Sequence, residues 1–230
     1  MTDADESSCI GAIAGINSGS IVNTFTSDDS AVTVKAEVND VSIGGAVGYN
    51  KGSVDGGNNI FKADVMLGST ISAPIGGIAG INNGEIRNYT YRGKITADGG
   101  ADYGIGGIAG VNGSDENSDN YAVIEGCKID DGISRKLTRA SSTNVNNHTD
   151  STDYTINTTL NESVRVGGIV GYNCKNGIVR KSTLANCYIK SDYGYTGGIV
   201  GHNYGVVEEC KADTGCLLYT SPSPRDRSVS

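Results

Sequence analysis

Tryptophan is absent from this 230-residue chain, phenylalanine and methionine occur twice each, and proline occurs three times. So few bulky rings exclude a core organised around large aromatic side chains, and leave Ile, Val and Ala to fill it. No stretch reaches the ~18 consecutive apolar residues that a membrane-spanning helix requires. Residues 1–9, an acidic and polar N-terminal segment, lack the basic start and apolar run of a secretory leader. Cations are outnumbered, with 18 Lys and Arg against 26 Asp and Glu, for a net charge of −8. Nucleic-acid recognition needs a basic stripe, and anionic lipid surfaces need a polybasic patch. Neither nucleic acid nor membrane insertion is expected of this chain.

Catalytic signatures are missing too. There is no HExxH, no Gly-x-Ser-x-Gly elbow, and no Lys-Ser/Thr after a glycine-rich run. The two histidines, His148 and His202, stand apart in sequence. His202 reads as a packing or surface residue. The acidic pairs Asp130-Asp131 and Glu208-Glu209 read as solvated turns. The Asp-rich turn 115–120 offers oxygen ligands but lacks the spacing of an EF-hand loop. No catalytic residue, metal ligand or cofactor is therefore expected, and the sequence names no binding residue.

Cysteines Cys9, Cys127, Cys174, Cys187 and Cys210 contain no CxxC, which argues against a zinc ribbon or redox pair. Cys216 lies in the last fifteen residues. Those residues, 216–230, resemble the translation of a common sequencing adapter, so the genuine chain is expected to continue past Gly215.

What is abundant is glycine: 34 residues, about twice the usual share and without a collagen-like triplet. Many sit in a phrase that returns six times. It runs Gly11-Ala12-Ile13-Ala14-Gly15-Ile16-Asn17, then Gly44 to Asn50, Gly76 to Asn82, Gly106 to Asn112, Gly167 to Asn173 and Gly197 to Asn203. A second phrase follows each: an Ile or Val, then a small or sulphur-bearing residue three places on, as at Ile124 with Cys127 and Val207 with Cys210. A fixed period of about 31 residues marks a repeat architecture. One longer step contains an insertion at roughly 130–165, rich in Ser, Thr and Asn, which predicts a loop on one face.

Short Ile/Val runs bounded by Gly and Asn are strand-and-turn signals. Apart from a weak stretch near 133–140, nothing has helical periodicity. A unit this small cannot bury its own apolar side, whereas stacked copies can, each strand pairing with its equivalents at ~4.8 Å. The expectation is an all-β, parallel β-solenoid of six coils over 10–215. Asn17, Asn50, Asn82, Asn112, Asn173 and Asn203 should form one ladder of hydrogen-bonded amides. Each coil buries three or four Ile or Val side chains at ~1.5–3 kcal/mol apiece, too little for one coil alone. Ile75-Gly76-Gly77-Ile78-Ala79-Gly80 leaves two geometries open: a strand covered on both faces, or a bend at its glycines. Cys127 and Cys210, two coils apart, would be ~10 Å from one another, beyond the ~7 Å limit of a disulfide. Cys174 and Cys187 share a coil, and pairing between them stays open.

The two phrases resemble the bacterial GLUG repeat, Gly-Gly-Ile-Val-Gly-x-Asn followed by Gly-x-Ile-x-Asn-Cys-Tyr. The likeness is closest at Val166–Lys175 with Asn186-Cys187-Tyr188, and at Thr196–Lys211. Ala12 replaces the second glycine of the first copy, and Gly57 stands where Cys is common. The resemblance implies a non-catalytic structural or adhesive module of a larger extracellular or cell-surface protein. Its partners would be neighbouring repeats and a host or cell-surface protein or glycan. A rival is an accessory region of a large secreted peptidase or other enzyme whose catalytic domain lies elsewhere. A solenoid lyase acting on polysaccharide ranks last, since it would need Asp, Lys and Arg clustered across adjacent coils.

Overall fold

The computed structural model describes residues 8–26, 32–37, 41–68, 73–97, 104–115, 120–130, 156–158, 164–185, 187, 189–191, 194–213 and 217–219. Every regular element among them is a β-strand. The strands form five parallel sheets, four of six strands and one of five. The chain visits the sheets in turn, so sheet neighbours are one lap apart.

The third coil shows the plan. It runs through Ile75–Gly76, Ala79–Asn82, Glu85–Arg87, Thr90–Tyr91 and Ile95–Ala97, one strand per sheet. In the second sheet the laps stack as Ala14–Asn17, Val47–Asn50, Ala79–Asn82, Ala109–Asn112, Val170–Asn173 and Val200–Asn203. The steps between their asparagines are 33, 32, 30, 61 and 30 residues. This is the expected parallel β-solenoid, its six rungs bounding about five full turns.

The glycine phrase is two strands in two sheets, with a bend at Gly77-Ile78 between them. Both open geometries therefore apply: the chain bends, and both strands are covered. The corner is too tight for side chains. A Cβ on Gly76 would lie 1.8 Å from the Ala79 carbonyl oxygen, and one on Gly77 would lie 2.2 Å from that of Gly107. Gly80 lets its strand rest on the backbone of the coil before, where a Cβ would meet Ile43 N at 2.5 Å.

Inside, Ile43, Ile75, Ile105 and Val166 from the first sheet meet Ile86, Ile124 and Val179 from the third. Tyr91, Ile129 and Leu184 come from the fourth, and Val65, Ile95, Ile156 and Ile189 from the fifth. The predicted asparagine ladder is present. Asn17, Asn50, Asn82, Asn112 and Asn173 each donate from Nδ2 to the Oδ1 of the next, at 2.8–2.9 Å. The central four are fully buried. Spare amide hydrogens reach nearby carbonyls, Gly84 O for Asn82 and Ala122 O for Asn112, so these polar groups are satisfied without water.

After the third sheet each coil turns through the left-handed region. Asn23, Asn88, Gly126, Lys181 and Glu209 have φ of 53°, 56°, 64°, 50° and 52°. The second coil turns at Gly57 and Asn58 instead, within a longer corner. Asn and Gly suit that region; Lys and Glu do not.

The insertion was placed at 130–165, yet Ile156–Thr158 is a regular rung, paired with Ile95–Ala97 on one side and Ile189–Ser191 on the other. The part of the expected insertion ahead of that rung is the stretch 131–155, between Lys128–Asp130 and Ile156–Thr158 in sequence. It lies outside the described residues, as does the weakly helical stretch 133–140. Leu217–Tyr219, within the adapter-like stretch, also pair with Ile189–Ser191. Parallel pairing uses backbone groups that any short apolar run supplies, so the pairing carries no information about origin.

Candidate functional site

The second-sheet strands depart from simple alternation: Val47, Ala79 and Val170 enter the main core, while the residue two positions on, past a glycine, packs in a separate apolar cluster. That second position reads Ile16, Tyr49, Ile81, Val111, Tyr172 and His202 in register. Ile81, Val111, Tyr172 and Cys174 are sealed in it, with Tyr49 packed alongside. Toward the fifth and sixth coils its chemistry changes from aliphatic to aromatic and ionic.

Tyr172 and His202 stand at the centre of that change. The Arg165 guanidinium, from the first sheet, sits 4.5 Å from the centre of the Tyr172 ring, and its Nε donates to His202 Nδ1 at 3.2 Å. The His202 ring lies 5.5 Å from Tyr172, 4.9 Å from Tyr195 and 4.6 Å from Tyr204. The Tyr172 hydroxyl donates to Asp115 at 2.5 Å. Burial, then the bond to that carboxylate, pushes the Tyr172 phenol up from its ordinary value. Burial and the same carboxylate push the Cys174 thiol up to about 12, so it stays protonated and unreactive at neutral pH. Tyr195 and Tyr204 are more than half exposed. The arrangement offers ring faces, a cation and a carboxylate, which suits reversible recognition. His202, expected as a packing or surface residue, lies half-buried among these rings.

A second cluster lies on the third sheet and was not foreseen. Asp55, Arg87, Glu125, Arg180 and Glu208 occupy one register position on successive coils, with charge alternating at every step. Glu125 receives Arg87 at 2.5 Å, Arg180 at 3.0 Å and Lys181 at 3.4 Å. The hydrogen bond from Arg180, with Arg180 and Arg87 charges and Lys181, holds its carboxyl below the usual value. A carboxyl so held is ionised at neutral pH and is a poor proton donor there. This is a cross-coil cluster of acids and cations of the kind a solenoid lyase would need, which the Gly, Asn, Ile and Cys ladder positions did not lead us to expect, and its ion pairs brace three coils. The signal was in the sequence: the residue after the Ile or Val of the second phrase alternates in sign from copy to copy.

Other expected positions are scattered. Asp130, expected in a solvated turn, instead ends the fourth-sheet strand Lys128–Asp130, where it pairs with Lys128 at 2.7 Å, while Asp131 and His148 lie outside the described residues. Glu208 and Glu209 are exposed, but only Glu209 lies in the turn; Glu208 ends the third-sheet strand Val206–Glu208, because its backbone pairs with Arg180 of the coil before. Of the Asp-rich turn, Asp115 and Asn120 are described and 116–119 are not; Asp115 Oδ1 is buried without a hydrogen-bond partner. Cys127, Cys174 and Cys210 carry free thiols. Cys187 packs in the main core and Cys174 in the second cluster, which leaves no pairing between them. Cys127 is buried and Cys210 packs against the main core; their thiols donate to the carbonyls of Glu125 and Val179, both at 3.6 Å. Among the described residues no group of three or more His, Cys, Asp and Glu converges, and no helix is long and apolar enough to cross a membrane. Comparison with family models, curated proteins and solved structures returns no match.

Proposed function

We propose that this chain is a non-catalytic structural and adhesive repeat module of a larger bacterial extracellular or cell-surface protein. The reading rests on the resemblance of its two phrases to the GLUG repeat. It is supported by how the solenoid divides its residues. Inward positions of the first, second, third and fifth sheets mostly repeat Ile, Val, Ala and Asn along the stack, the fourth-sheet core position reads Phe61, Tyr91, Ile129 and Leu184, and outward positions change in charge and polarity from coil to coil. A stack of this kind presents an extended, rigid surface, which is the form repeat proteins use for recognition. The aromatic and ionic group at Arg165, Tyr172, Tyr195, His202 and Tyr204 is the observation that carries recognition: packing alone is served by the aliphatic residues Ile81 and Val111 at the equivalent positions. The partner class is a host or cell-surface protein or glycan.

The test is to present the purified chain to arrays of defined oligosaccharides and extracellular-matrix proteins, and to incubate the same preparation with polysaccharide and peptide substrates. Saturable binding without product is the expected result. Release of sugar or peptide fragments would show that the chain is an enzyme, and absence of all binding would remove the adhesive part of the reading.

A further inference from the structure

In a simple stack each coil touches only its neighbours, so an outer coil frays without consulting the coils beyond the next. One side chain breaks that rule. Tyr89, in the third coil, is buried, and its hydroxyl lies 2.5 Å from Oγ1 of Thr24, in the first coil. Two coil spacings are about 10 Å, and the ring crosses them by passing the second coil at its long corner.

That corner is shaped for the passage. Asp55 to Ile60 takes two more residues than Arg87 to Thr90 in the next coil. Gly56 lies against the ring, where a Cβ would come within 2.7 Å of two of its carbons. Gly57 turns with φ of 59° beside the Asn23 side chain. Phe61 meets the ring edge to face at 6.2 Å from the second coil's next strand. The glycine that departs from the repeat consensus at 57, and the Tyr that replaces a small residue one coil later, are thus two halves of one device.

We infer that Tyr89 is a strap that ties the first coil directly to the third and makes the first three coils open as one unit. Hydrogen exchange followed by mass spectrometry on the full chain tests it. Tyr89→Phe keeps the ring and removes the hydroxyl, and Thr24→Val keeps the shape and removes its partner. Each should speed exchange of the first-coil strand Ser20–Val22 by about 2- to 10-fold, the range of one net hydrogen bond. Strands Ala122–Glu125 and Gly177–Arg180 should be unchanged. The double variant should be no faster than either single one, because the bond is already gone. Additive effects, or acceleration confined to the third coil or spread evenly over all coils, would overturn the strap.

Discussion

At the scale of single residues the stack is held by polar groups that would be liabilities if unpaired. Asn82 receives from Asn50, donates to Asn112 and accepts from Gly84 N, all in a buried setting. Asn82→Ala removes both amide contacts and strips buried neighbours of partners. It is expected to cost about 2–3 kcal/mol in urea denaturation. Asn203→Ala, at an exposed ladder position, should cost under about 1 kcal/mol. Equal costs would mean that burial is not what makes the ladder matter. Glu125 gives a pH dependence of definite sign. Its folded carboxyl is held below the ordinary 4.5, so its stabilising contribution is complete above that pH and is lost as pH falls through the lowered value. Glu125→Gln should therefore lower Tm at pH 7 and flatten the fall of Tm between pH 5 and pH 3. A variant with the wild-type acid slope would show that the three cations do not act through this carboxylate.

At the scale of the strand and corner, glycine is required by space at some places and by nothing at others. Gly77→Ala forces a Cβ to 2.2 Å from the Gly107 carbonyl oxygen and 2.5 Å from the Tyr91 ring, inside a packed corner in mid-stack, unlike Ala12, which holds the same position in the outermost coil. A loss above about 3 kcal/mol, or failure to fold, is expected. Gly19→Ala meets no atom within 4 Å, and its φ is not positive. It should be neutral or stabilising by up to about 1 kcal/mol, since alanine narrows the unfolded ensemble. Thermal melts of the two variants decide the point, and similar losses would contradict the corner geometry. Strands of the fourth and fifth sheets lie outside the repeated phrases, yet Val32-Thr33-Val34-Lys35-Ala36 alternates apolar and polar residues as a half-covered strand does. That alternation was readable; the absence of a fixed motif hid its place in every coil.

At the scale of the whole molecule, the stack has a phase. Ile75 pairs with Ile43 on one side and Ile105 on the other. Excising residues 75–104 removes one full lap and sets Ile105 against Ile43, so the shortened chain should keep a β-type circular dichroism spectrum and a cooperative melt at lower temperature. Excising 75–89 removes half a lap, turns core positions outward and should give an aggregated or unfolded product. Comparable folding of the two would argue against stacking by laps.

The sequence by itself determined the lap length, the parallel stack and the asparagine ladder, because each depends on one residue type recurring at one interval. It also held the alternating charges from Asp55 to Glu208, although these emerge only when outward positions are aligned as strictly as inward ones. Tertiary structure alone decided how many sheets a lap contains, that the glycine phrase is two strands around a bend, and that Ile156–Thr158 is a rung of the fifth sheet. It alone brought Tyr89 to Thr24, 65 residues away. Periodicity reports what is the same in every coil; contacts that differ from coil to coil are set by which side chains meet in space, and no interval in the sequence encodes them.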